Sequence, residues 1–393
     1  MKRIFLVIAS TLLSCTVHAT PVKIGFVTTL TTNGALIGQD MKQAVDLAMQ
    51  HLGGKAGNTP LEVIFADDAF SAETGQKVTE QLVKKDDVDF VAGYIWSNVL
   101  LASSKSVLDA GKFLITTNAG SSLKAGILCN PNFFSTGSQN DQTPMAMGEI
   151  LNRKGVKSLF IMAPDYPGGQ DMVAGVQRTF KGQVSGKALT PWGIDAQMDF
   201  SVELNLAQQS AADAIFAFYP GEAGVQFAKQ YHQAGLSKKL PLYSVFTINA
   251  LSLPIFEQDN IEGIIESRMT GIWDPTLDNE ANRRFVSDYK ERFGSYPSYY
   301  AAQSYDAIML IASAVEATDG NLTDKEAVRS ALKAANYASV RGKYTYGNNH
   351  FPIQNLYLRE VIKDDQGKWT TKVVETVYTN HQDSYAPSCP MKN

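Results

Sequence analysis

Residues 88–120 read "VDFVAGYIWSNVLLASSKSVLDAGKFLITTNAG". "DFVAGYI" is an apolar run of strand length. "SNVLLASSKSVLDAG" carries apolar residues at helical spacing and ends at Gly111, a residue suited to closing a helix. "FLITTNA" is a second apolar strand. Two nearly all-apolar strands joined by a helix imply a parallel pair buried on both faces. The second strand opens into Thr116, Thr117, Asn118, Ala119, Gly120, Ser121 and Ser122. That cluster offers hydroxyls, an amide and bare backbone, but no acid, base or thiol.

The same alternation continues upstream. "VKIGFVTTL" is a strand. Residues 36–52 then place Ile37, Met41, Ala44, Val45, Ala48, Met49 and Leu52 on one helical face. "LEVIFADD" is a strand, and "SAETGQKVTEQLVKK" a helix with Ser71 as its N-cap. Downstream the pattern pauses over 129–141, "CNPNFFSTGSQND", and restarts. "SLFIMAPD", "DAIFAFYP" and "LPLYSVF" are strands, with helices at 169–182 and at 221–234, the latter closed by Gly235. Three helices follow, at about 278–293, 298–318 and 324–336. The chain ends in alternating β segments that turn at Asp365-Gln366-Gly367. The expected fold class is α/β, with two lobes and a cleft between them.

The first residues, "MKRIFLVIASTLLSCTVHAT", form a charged start (Lys2, Arg3), an apolar stretch over 4–17 and a small-residue cut site ending at Ala19. Fourteen residues are too few to span a bilayer, which needs about 20. Residues 1–19 therefore read as a cleaved signal peptide. A rival cut at "LLSC" would leave Cys15 as a lipidated N-terminus. Loss of Lys2 and Arg3 takes the net charge of the 393-residue chain from −4 to −6. A mildly acidic chain without a basic run argues against nucleic acid as a partner. Export leaves Cys129 and Cys389, which in an oxidising compartment usually pair. Two unrelated buried thiols are the alternative. No CxxC or HxxxH spacing suggests a metal.

Catalytic motifs are missing as well: there is no GxSxG, GxxxxGK[ST], HExxH or GxGxxG. Four histidines remain after export, at 51, 232, 350 and 381. His51 and His232 read as helix-end surface groups. Asp67 and Asp68 read as a loop cap and a salt-bridge partner rather than an acid/base pair. No catalytic residue, cofactor or metal is expected.

Ligands of parallel α/β sheets bind at the carboxyl ends of strands, beside helix N-termini. Those ends supply Thr28 and Thr29, then Tyr94 to Ser97, including Trp96, and Asn118 to Ser121. In the later half they supply Asp165 and Tyr166, Tyr219 to Glu222, and Phe246 and Thr247. Rings mixed with small hydrogen-bonding groups suit a ligand with a flat apolar body and one anionic end. Each has a plainer alternative: Trp96, Tyr94 and Tyr219 as core aromatics, Tyr166 as a loop brace, Ser97 and Ser121 as N-caps. Arg268 and Glu222 could equally face solvent.

These segments together resemble the substrate-binding proteins of ABC transporters, in the leucine-binding class. The resemblance rests on "IGFVTTLTTNGALIGQDMKQAVDLAM", on the 88–120 stretch and on "YAAQSYDAIMLIASAVEA", and it covers essentially the whole mature chain. "FAFYPGEAGVQFAKQYHQAGL", "RGKYTYGNNHFPIQNLYLREVIKD" and "TNHQDSYAPSCPMK" look like the subset that captures aromatic carboxylates. The resemblance implies a type I architecture of two Rossmann-like lobes joined by three crossovers, here near 141, 272 and 345. Lobe 1 would comprise 20–141 plus 273–345, and lobe 2 would comprise 142–272 plus 346–393. It also implies a Cys389 pair with Cys129.

Carried over by position, Ser97 and the backbone of Ala119, Gly120 and Ser121 would hold a carboxylate, with Asn118 beside them. Trp96, Tyr166, Tyr219 and Phe246 would pack a ring. In "YPGEAG" the extra Gly221 displaces Glu222 by one residue from the family's ammonium-binding carboxylate. The implied function is a monomeric periplasmic receptor for a small aromatic acid, serving an inner-membrane ABC permease. The alternative is an amino-acid receptor of the same fold, with an exported hydrolase or sensory domain as further options.

Overall fold

The computed structural model describes residues 20–392. The expected signal, its cleavage after Ala19 and the Cys15 alternative lie outside them. The chain begins with β1 (Val22–Thr28), α1 (Ala35–His51), β2 (Lys55–Ala56), β3 (Thr59–Asp67) and α2 (Ala72–Lys84). It continues with β4 (Phe90–Gly93), α3 (Ser97–Asp109), β5 (Phe113–Thr116), α4 (Ser122–Ala125) and β6 (Phe133–Ser135). A second series follows: α5 (Gln142–Arg153), β7 (Ser158–Pro164), α6 (Pro167–Thr179), β8 (Gln183–Thr190), α7 (Ser201–Gln209), β9 (Ala214–Ala217), α8 (Gly221–Gln233), β10 (Leu242–Ser244), α9 (Leu253–Gln258) and β11 (Arg268–Gly271). The end comprises α10 (Glu280–Phe293), α11 (Tyr299–Ala317), α12 (Lys325–Ala334), β12 (Thr345–Tyr346), β13 (Pro352–Lys363) and β14 (Trp369–His381).

The strands form two sheets. The first has six strands in the order β2-β3-β1-β4-β5-β6, parallel apart from β2. The second has eight, in the order β12-β13-β11-β10-β9-β7-β8, with β14 added on β13. Its run β8-β7-β9-β10-β11 is parallel and repeats the order β3-β1-β4-β5-β6. Strands β4 and β5 are buried throughout, as their unbroken apolar runs require. Helix α11 packs on α1 and α12, while α5 packs on α6, β11 and β13.

Two buried clusters meet across the second sheet, and strand alternation decides which residue joins which. Ala214, Phe216 and Phe218 belong to the cluster shared with the first sheet. Ile215, Ala217 and Tyr219 belong to the other. Residues 346–351 border the first sheet, where Ser135 N–H donates to His350 O (3.1 Å) and Tyr346 Oη donates to Ser135 O (3.0 Å). Cys129 and Cys389 are joined in a disulfide, with Cα atoms 5.7 Å apart, so the reading of two unrelated thiols falls away.

Several elements depart from the sequence reading, α7, α9 and β11 being unassigned there and three others differing as follows. The pause at 129–141 contains β6. The polar stretch 183–190 is an edge strand, β8, of which only Ala188 and Thr190 are buried. The helix expected at 169–182 runs instead from Pro167 to Thr179, because Pro167 suits the first helical turn and Phe180 is already extended.

Candidate functional site

In each sheet the strand order reverses once, between β1 and β4 in the first and between β7 and β9 in the second. Open α/β sheets bind ligands at such points. The loops leaving these four strands face one another across a cleft. Between them lies a cavity of about 10 Å³, roughly the room of one water, lined by residues that follow β4, β5, β6, β7, β9 and β10 and by the first turn of α11. The first unit lines it with Ile95, Trp96, Ser97, Asn118, Asn140 and Tyr300. The second contributes Tyr166, Met172, Phe218, Pro220 and Phe246.

The first wall is built from the end of β4. Gly93 has φ +109°, and a Cβ there would lie 2.1 Å from Val27 O, so only glycine lets the strand turn out of the sheet at this point. Trp96 follows. Its indole Nε1 donates to Thr29 Oγ1 (2.8 Å), and its ring stacks on Phe70 with centroids 4.2 Å apart. Ser97 opens α3, and its hydroxyl accepts from Asn140 Nδ2 (3.0 Å).

The 118–122 loop is largely self-satisfied. Asn118 Nδ2 donates to Ile95 O (2.8 Å), while its Oδ1 is buried without a partner. Ala119 N–H donates to Tyr94 O (3.0 Å), and Gly120 N–H to Asn140 Oδ1 (3.0 Å). A Cβ on Gly120 would lie 1.9 Å from Ser138 O, so glycine permits this close approach. The amides of Ala119 and Gly120, expected to meet a carboxylate, thus already have partners inside the protein. Ser121 is buried and is the N-cap residue of the four-residue helix α4, without a side-chain capping bond.

The second wall is aromatic. Tyr166 stacks on Trp192 with centroids 5.4 Å apart, and Trp192 stands edge-on to both Trp96 (5.5 Å) and Phe70 (5.2 Å). Phe246 packs edge-on to Tyr299 (4.8 Å) and Phe218 (5.9 Å). Tyr219, expected here, points the other way. Its ring packs on Phe200 and Phe227, and its hydroxyl accepts from Thr190 Oγ1 (3.2 Å). Phe218 takes the cavity-facing position, one residue earlier. Glu222 sits in the first turn of α8, where it accepts from Gln226 Nε2 (2.7 Å), and does not line the cavity.

A model of the family described as "Periplasmic binding protein" matches residues 21–367. The chain belongs to the periplasmic binding protein family. It is 28% identical over 372 residues to "Leu/Ile/Val-binding protein homolog 6" of Brucella melitensis biotype 1, an alignment that covers 91% of this chain and 92% of that one. Among solved structures it resembles an R. palustris ABC-transporter solute binding protein in complex with benzoate: TM-score 0.87, 25% identity, 95% of this chain and 100% of that one. A second R. palustris solute binding protein, in complex with 4-hydroxybenzoate, gives 0.82 and 25%, covering 92% and 98%.

In this binding protein a polar network crosses the cleft beside the cavity. Asp171, on α6, accepts through Oδ2 from Ser122 N–H (3.0 Å) and Asn140 Nδ2 (2.9 Å). Burial raises the Asp171 pKa despite these donors. Asp141 follows Asn140 and is pushed up to about 7, chiefly by burial and further by Asp171 and Asp383, against the opposing Arg178. Burial also drives the Tyr166 hydroxyl well above its ordinary value, with Tyr300 and Asp171 adding to the effect. Among the described residues no Lys, Arg or His lines the cavity. Helices α3, α6 and α8 all start at it, and their N-caps (Trp96, Tyr166 and Pro220) provide no side-chain cap. Free N–H groups at helix starts favour an anion.

Several other expectations resolve. Asp67 and Asp68 cap loop amides, Leu30 N–H (2.8 Å) and Phe70 N–H (2.9 Å), and among the described residues neither joins an ion pair, so the salt-bridge role is corrected. Arg268 pairs with Glu360 (3.3 Å). His51 is held by Tyr305 and Asp288, at 2.8 and 3.0 Å. Asn140, Asp171, Met172, Trp192, Phe218 and Tyr300 were not foreseen. Trp192 follows the unread strand β8, whereas the alternation of 214–219 could have exposed Phe218.

Proposed function

We propose that the protein captures a small aromatic carboxylate in the cleft and delivers it to an inner-membrane ABC permease. The observation that carries this reading is the convergence of three uncapped helix starts on a cavity walled by Trp96, Tyr166, Phe218, Phe246 and Tyr300. The helix starts favour an anion and the rings a flat apolar body. The two structural relatives holding benzoate and 4-hydroxybenzoate support the ligand class. In this reading residues 20–141 plus 273–345 and 142–272 plus 346–393 are lobes that close on the ligand. The protein is a monomer, exported to the periplasm and cut after Ala19, and it turns nothing over.

Calorimetry with benzoate, 4-hydroxybenzoate, leucine and phenylalanine tests the proposal. Heat from either aromatic acid, with little from the amino acids, is expected. Strong heat from leucine alone would sink the aromatic assignment. The amino-acid alternative has support from the Leu/Ile/Val-binding relative and requires Glu222 to receive an ammonium group. Glu222 instead engages Gln226 and lies off the cavity lining, so Glu222→Ala should leave aromatic-acid binding within about twofold of wild type.

A further inference from the structure

Asp68 is fully buried at the end of β3 and touches no ligand-facing space. Its Oδ1 accepts two hydrogen bonds, from Thr29 Oγ1 (2.6 Å) and from Phe70 N–H (2.9 Å). Thr29 Oγ1 in turn accepts from Trp96 Nε1 (2.8 Å). The direction of this chain is fixed by chemistry. An indole N–H can only donate, a hydroxyl has one proton to give, and a carboxylate can only accept. Protons therefore point from Trp96 to Thr29 to Asp68.

The carboxylate is otherwise poorly served. Its Oδ2 is buried without a partner. The buried acids Asp306 and Asp274 are each paired with an arginine, Arg341 (3.1 Å) and Arg359 (3.0 Å), whereas Asp68 has no such partner among the described residues. A buried acid without a cation is costly, and such a group calls for an explanation. The structure supplies one. Phe70 has φ 61°, in the left-handed region, and its amide is held by Asp68 while its ring stacks on Trp96. One oxygen thus fixes both members of the stack that forms the first unit's wall.

We infer that Asp68 is a positioning residue for ligand capture, acting through Thr29 to orient the Trp96 indole and directly on Phe70 to hold its stacking partner. The inference rests on the cleft being the ligand site. Supporting groups of this kind, packed behind those that touch ligand, determine how precisely a site is held.

The test uses full mature protein with ¹⁵N-labelled tryptophan, the Trp96 indole signal being assigned from its loss in Trp96→Phe. Thr29→Val removes the relay, and Thr29→Ser keeps the hydroxyl. Thr29→Val should shift the Trp96 indole proton upfield and weaken benzoate about tenfold, the scale of one lost buried hydrogen bond. Thr29→Ser should restore both. An indole signal unmoved in Thr29→Val, or unchanged benzoate affinity, overturns the inference. If Thr29→Val does not fold, Asp68→Asn carries the test, since its amide keeps an acceptor but loses the charge. An unmoved Trp96 signal there is equally fatal. If wild-type protein binds no benzoate, the ligand reading fails while the indole signal still decides the relay.

Discussion

Asn140 and Asp171 meet across the cleft, with Nδ2 donating to Oδ2 at 2.9 Å. The same Asn140 amide group donates to Ser97 Oγ and, through Oδ1, accepts from Gly120 N–H. One side chain therefore ties two segments beside the cavity, at Ser97 and Gly120, to helix α6. Asn140→Asp would keep the acceptor for Gly120 but set a second carboxylate against Asp171. Benzoate binding at pH 8 should weaken by more than about tenfold, since like charges face each other in a buried site. Calorimetry measures the loss, and small-angle scattering of the unliganded variant should report a more open molecule. Wild-type affinity and compactness together would rule the network out as a closing contact.

Phe218 and Tyr219 separate the cavity wall from the packed core. Phe218→Ala removes a ring that faces Tyr166 and Phe246 and should weaken benzoate about tenfold or more. Tyr219→Phe loses only the bond from Thr190 behind the wall. Its affinity should stay within about twofold, while denaturant unfolding shows about 1 kcal/mol of lost stability. The reverse pattern would mean that the alternation of 214–219 has been assigned to the wrong faces.

Much of the fold is written in apolar runs. Strands β1, β4, β5, β7 and β9 are buried on both sides and stand out as such. Strand β8 lies at a sheet edge, so QVSGKALT has no need to be apolar, and the site residue after it, Trp192, was invisible for the same reason. Asn140 and Asp171 escaped differently. They are polar residues in polar surroundings along the chain, and their value comes from meeting each other from two units. Its place at a strand end makes Tyr219 the expected ring contact, but a strand fixes orientation by parity, and parity turns Phe218 to the cavity and Tyr219 away from it.

Asp141 should make stability fall as pH rises towards neutral. Its pKa lies near 7 in the folded protein against 3.8 as the ordinary value. Between those values the folded state holds the proton that the unfolded state has lost. The slope of unfolding free energy with pH is then negative, and this contribution, complete below about pH 4, is gone above about pH 7. Asp141→Asn cannot ionise and escapes the loss. Relative to wild type, its melting temperature should improve by a few degrees, roughly, between pH 5 and pH 8. Thermal melts at the two pH values measure this, and a constant difference would mean that Asp141 does not titrate in that window.

The Cys129–Cys389 bond encloses 260 residues of separation and fastens the tail beside α4. Around it Asn349 Nδ2 donates to Asp383 Oδ2 (2.9 Å) and to Ala125 O (2.9 Å), and Arg178 donates to Tyr385 Oη (3.1 Å). These contacts reach the segment whose first amide, Ser122 N–H, binds Asp171. Replacing both cysteines by serine frees a very long loop in the unfolded chain, an effect of about 5.6 kcal/mol in the loop-entropy model and about 2–4 kcal/mol in typical measurements. The melting temperature should fall accordingly, and reductant should lower that of wild type while leaving the variant unchanged. Benzoate affinity measured well below the melting temperature should change less than about threefold, because the local hydrogen bonds still hold the tail while the protein is folded. A wild-type melt indifferent to strong reductant would show that the bond does not form in solution.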